Sequence, residues 1–160
     1  MKVRDTPEVY GYTIFCDDIR REIGEKLSFV GTYSGTIVLH NPFPFVFPKF
    51  CFFITLVQRR EILDPNIEIK IFLPGDTENT PSFSMVGSET SEGAVAEQTA
   101  KEVEGLPLSD QRIVVMHAAM VATPLIIKEA GIIHVRAVRQ GELIRLGSIR
   151  VVQASQLAAN

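Results

Sequence analysis

The sequence predicts an all-β chain, a two-sheet antiparallel β-sandwich of Ig-like or C2-like type, with one or two short helices and a long loop at 77–111. Three observations carry this reading. Residues 125–153 form a β-meander, in which Ile133, Val135 and Ala137 share one face while His134 and Arg136 point the other way, the period of two that a half-buried strand requires. Residues 50–57 (FCFFITLV) are apolar on both faces, as in a central strand covered on two sides. Gly and Pro turns, rather than long helical patterns, separate the strands, which favours packed antiparallel sheets over a parallel α/β fold.

The elements follow from local chemistry. Residues 9–16 (VYGYTIFC) are β-branched and aromatic, which predicts a first strand. Asp17 or Asp18 is placed to cap a short helix over 19–22, stopped by Gly24. Residues 26–33 (KLSFVGTY) alternate and predict a second strand. Residues 41–48 (NPFPFVFP) hold three prolines and three phenylalanines, so this piece reads as an extended edge or a crossing between sheets. Asp64-Pro65-Asn66 makes a turn, and Ile67, Ile69, Ile71 and Leu73 then face the core against outward Glu68 and Lys70. Pro74-Gly75-Asp76 closes that strand.

From 77 to 111 the apolar period is lost, and only residues 92–103 carry helix-favouring composition. Residues 112–121 resume as a buried strand, and Thr123-Pro124 leads into the meander, with a run from 125 entering across Ala130-Gly131. Gly141 supplies the positive φ that the tight turn at 139–142 needs.

With 160 residues and neither repeat nor linker, the chain reads as one domain, residues 1–160. Sixteen basic and 19 acidic residues give a net charge of −3, so there is no general attraction for nucleic acid or anionic membrane, and nucleic acid is not the expected partner. No stretch is apolar enough to span a bilayer or to act as a signal core, which points to the cytoplasm. Cys16 and Cys51 sit among apolar neighbours and read as small buried hydrophobes.

The motifs that would carry chemistry are missing. His40, His117 and His134 are far apart and there is no Cys-x-x-Cys, so no metal site is predicted. Asp17, Asp18, Asp64, Asp76 and Asp110 fall at loops, but Asp is also the ordinary cap and turn residue, and calcium needs six to eight oxygens. Asp17 beside Cys16 would raise the thiol pKa, the wrong direction for a nucleophile. No phosphate loop or nucleophile elbow occurs, so no catalytic residue and no cofactor are assigned.

Cys16-Asp17-Asp18-Ile19-Arg20, then Gly24-Glu25-Lys26-Leu27-Ser28-Phe29-Val30-Gly31, a Pro-rich crossing, a strand, the Pro74-Gly75-Asp76 turn and the final Gly131 hairpin together resemble an uncharacterised family of small bacterial and phage β-rich proteins. The resemblance spans most of the chain, with 77–111 as the variable part. It implies a fold and a cellular setting, but no activity and no catalytic residues.

Two functional readings stand. The first is a non-enzymatic interaction or structural module that self-associates or binds a protein partner through Phe43, Phe45 and Phe47, since aromatic enrichment marks interfaces; the plainer reading of the same residues is a cap on the core. The second is an anion- or nucleic-acid-binding sheet face. Residues 125–153 hold Lys128, Arg136, Arg139, Arg145 and Arg150 against Glu129 and Glu142, and Arg136 and Arg145 are placed to meet across the hairpin, with Arg150 beyond them. The plainer reading of those arginines is a solvated face guarded by charge.

Overall fold

The computed structural model describes residues 7–64, 66–86, 101–103 and 113–157. They build an all-β chain of open sheets, mostly antiparallel. In chain order the first strands are β1 (Val9–Cys16), β2 (Asp18–Glu22), β3 (Lys26–Val30), β4 (Thr36–Leu39), β5 (Phe45–Phe47), β6 (Phe50–Arg59) and β7 (Glu68–Phe72). The rest are β8 (Phe83–Val86), β9 (Lys101–Val103), β10 (Ile113–Ala122), β11 (Leu125–Ile127), β12 (Gly131–Arg139) and β13 (Glu142–Gln153). A 3-10 turn at Arg60–Ile62 and one helical turn at Ala154–Leu157 complete the described residues.

β6 is central in a four-stranded sheet, ordered β1-β6-β10-β9. Its apolar residues on both faces explain the placement: Phe50, Phe52, Ile54 and Leu56 turn into the core, while Cys51, Phe53, Thr55 and Val57 are also buried on the opposite face. On that second face the β2–β3 hairpin lays Phe29 against Phe53, with ring centroids 5.0 Å apart, and the His117 ring stacks at 5.2 Å.

The second large sheet has the order β4-β13-β12-β7-β8. Ile69 and Ile71 of β7, Ile133, Val135 and Ala137 of β12, and Ile149 and Val151 of β13 face inward and join Phe52, Ile54 and Leu56 of β6 in one apolar cluster. Each large side chain fully withdrawn from water there contributes about 1.5–3 kcal/mol, which sets the positions of both sheets. The β12–β13 turn is two residues, Gln140 (φ 49) and Gly141 (φ 82), both left-handed, as a tight hairpin matching strand twist demands.

β13 is not regular. Val135 pairs with Gly147 and Arg136 with Arg145, so Leu146 is an extra residue, a β-bulge. Leu146 is buried and comes close to Gly11 of β1, while Gly147 (φ 142) lies against Thr13.

The structure corrects several expectations. Residues 18–22 form strand β2, not a capped helix. The reason lies in Asp17, whose amide donates to the Val30 carbonyl (3.0 Å) and whose carboxylate accepts the Tyr33 hydroxyl, leaving no free helix cap. Arg20 (3.1 Å) and Lys49 pair with Asp18 at the base of the same hairpin. Gly31 (φ +64) packs on the Asp17 carboxylate where any Cβ would collide. The motif of residues 16–31 is thus the anchor of one hairpin.

β11 leaves the meander and pairs with β5 in a separate two-stranded ribbon. The pair β4–β13 is parallel, and the chain enters β4 shortly after the isolated Tyr33–Phe15 bridge. Within 77–111, residues 83–86 form edge strand β8 and residues 101–103 form β9 on β10, so these parts are strand rather than loop or helix. The remainder of the helix expected at 92–103 lies outside the described residues.

Candidate anion-binding face

The outer face of the five-stranded sheet is built from alternate residues of its strands. β12 contributes Ile132, His134 and Arg136, and their partners across β13 are Arg150, Ser148 and Arg145. On the other side Phe72 stands opposite His134 and Lys70 opposite Arg136. Arg145 and Arg150 are separated by an odd number of residues, so an unbroken strand would place them on opposite faces. The bulge at Leu146 restores them to one face and is therefore the element that assembles the arginine set.

The strand residues of this face are mostly positive in charge. Among the described residues no carboxylate forms an ion pair with Arg136, Arg145 or Arg150. Glu68, the acidic residue on the face, is already engaged: it accepts from Ser84 (2.6 Å) and pairs with Lys70 (3.1 Å). The Ser84 hydrogen bond first, and Lys70 second, hold its carboxyl below the usual range. Arg136 extends over the Phe72 ring, 5.3 Å from its centroid, a contact that orients the guanidinium.

Like charges directly opposite in a sheet cost stability, so the Arg136–Arg145 pair is a standing positive field that a bound carboxylate or phosphate relieves. His134, next to Arg136 along β12 and diagonal to Arg145, responds to that field. Burial lowers its pKa, and Arg136 and Arg145 lower it further, so the ring favours its neutral form.

The face is also apolar between its cations. Val38, Ile132 and Leu143 are 40%, 44% and 48% exposed. Beside Arg136 and His134 opens a depression of about 380 Å³ that runs along β12 over Phe72, Pro74 and Ile132 to the turn after β7.

The other predicted residues fall elsewhere. Phe47 is buried, and Phe43 and Phe45 pack partly buried against the core, so the three phenylalanines turn inward and the outward residue of β5 is Val46. Cys16 and Cys51 face each other across β1 and β6 as buried free thiols, and burial pushes Cys16 up to about 12. Asp64 accepts the Asn66 amide, and Asp76 accepts the Leu73 and Ser82 amides, each closing its own turn. Asp17 and Asp18 hold the β2–β3 hairpin. No group of three metal-ligating side chains gathers among the described residues; Asp110 lies outside them. The apolar members of the face, Phe72, Ile132 and Leu143, were not singled out from sequence, although the same alternation that exposes Arg136 exposes Ile132.

No protein-family model, curated protein or solved structure matches this chain.

Proposed function

We propose that this protein is a non-enzymatic interaction module that binds an acidic segment of a protein partner on the outer face of its five-stranded sheet. The observation that carries the reading is the directly opposed Arg136 and Arg145, with Arg150 nearby and no carboxylate paired to them among the described residues, set among exposed Val38, Ile132 and Leu143. Arginine interleaved with apolar side chains is the composition of a protein interface. A nucleic-acid track needs more phosphate-reaching cations than this short strip offers, and the net charge of −3 opposes it. We also infer that the four-stranded and five-stranded sheets pack face to face as a β-sandwich, a reading supported by the single apolar cluster their inner faces share.

The test is fluorescence anisotropy of a labelled glutamate-rich peptide at low salt. Binding is expected to weaken as salt rises, and Arg136→Glu with Arg145→Glu is expected to reduce it by at least about tenfold. A wild-type protein that ignores the peptide, or that binds single-stranded oligonucleotides more tightly, would sink the reading.

A further inference from the structure

The depression along β12 is not uniformly charged, and its polarity says more about what lies in it. One end is Arg136, standing over Phe72. The other end is the turn after β7, where Gly131 packs against Pro74 and the Glu129 carboxylate comes against Gly75. Glu78 itself lines that end, whereas Glu129 reaches it only through its contact with Gly75. Asp76 is there too, but its carboxylate accepts the amides of Leu73 (2.8 Å) and Ser82 (2.9 Å), so its charge serves the turn. Glu78 and Glu129 have no ion-pair partner among the described residues and are exposed. Between the two ends the floor is made by Phe72, Pro74 and Ile132, with the neutral-leaning His134 ring beside them.

From Gly131 to Arg136 the strand advances about 16 Å at roughly 3.3 Å per residue. An extended polypeptide of comparable length matches that span residue for residue. Resting on the acidic-partner reading, we infer that the groove takes a bipolar segment: an acidic side chain at Arg136, an apolar side chain over Phe72 and Ile132, and a basic side chain at Glu78, with Glu129 against the neighbouring Gly75. Charge complementarity at both ends sets the orientation of the segment, and the apolar floor sets which residue sits between them. A uniformly acidic segment would meet Glu78 and Glu129 and be repelled there. The arginine pair accounts for attraction, and the far carboxylates account for selection.

The experiment uses the full chain and short capped peptides, each made in both sequence directions, with anisotropy at low salt as the readout. The first peptide has glutamate, leucine and lysine in that order with serine spacers; the second replaces lysine by glutamate; the third replaces leucine by glycine. The first is expected to bind about three- to fivefold more tightly than the second, the scale of an exposed ion pair, and more tightly than the third. Neutralising Glu78→Gln with Glu129→Gln is expected to remove the preference for lysine while leaving the all-acidic peptide bound at least as well as before. An all-acidic peptide binding as tightly as the bipolar one overturns the inference and leaves the acidic-partner reading standing, as does a lysine preference that survives the double neutralisation. Binding of neither peptide overturns both.

Discussion

His134 is the residue whose chemistry reports most directly on the face around it. It neighbours Arg136 on its own strand and lies diagonal to Arg145 on β13, with uncharged Phe72 and Ser148 directly across. Burial and the two guanidinium groups lower its pKa from the ordinary 6.5. The unfolded chain therefore binds more protons than the folded one between the lowered value and 6.5, and stability rises with pH across that window. This contribution is fully present above 6.5 and is lost as pH falls through the folded value. Proton titration of the imidazole by NMR is expected to show His134 below 6.5 in the free protein and shifted upward when an acidic peptide neutralises the arginines. A free-protein value at or above 6.5 would show that the arginines do not act on it. His134→Gln is expected to flatten the pH dependence of the melting temperature in the same window.

At the scale of elements, the β-bulge in β13 does what the strands alone cannot. Gly147 holds φ at 142, a backbone that side-chain residues rarely adopt, although a Cβ there would meet Thr13 of β1 only at ordinary contact distance. Gly147→Ala is expected to cost about 1–3 kcal/mol in urea unfolding, with acidic-peptide binding weakened beyond what the lost stability explains, because the bulge sets where Arg145 and Arg150 point. A neutral substitution would show that the bulge tolerates an ordinary side chain. The bulge also marks where sequence reading stops. Gly141 and the alternation of Ile133, Val135 and Ala137 make the β12–β13 hairpin legible, and with it the meeting of Arg136 and Arg145. Placing Arg150 on the same face agrees with the structure but not with spacing alone, since its odd separation from Arg145 points it the other way until the bulge is known. The β2–β3 hairpin is hidden for another reason: Asp17-Asp18 has the composition of a helix cap, and only the distant Tyr33 and Lys49 show that both carboxylates are engaged. β11 is lost to β5 because an apolar triplet carries no information about which of two apolar edges it pairs with.

Across the whole molecule, the inner faces of both large sheets contribute to one apolar cluster, and that arrangement makes a prediction about cooperativity. Phe52 of β6 and Ile133 of β12 are fully buried and belong to the same cluster from different sheets. If the sheets were stable separately, a cavity in one would leave the other's transition untouched. On the face-to-face packing proposed for the sheets, the loss of packing on one side removes contacts from the other. Phe52→Ala is expected to destabilise the protein by about 3–5 kcal/mol and Ile133→Ala by about 2–5 kcal/mol. Each variant is expected to show a single urea transition, shifted to lower midpoint with an unchanged slope. The hydrogen-exchange protection of β12 amides should fall in the Phe52 variant as far as that of β6 amides. A second transition, or β12 protection that outlasts that of β6, would show two independently stable sheets and would detach the arginine face from the core of the four-stranded sheet.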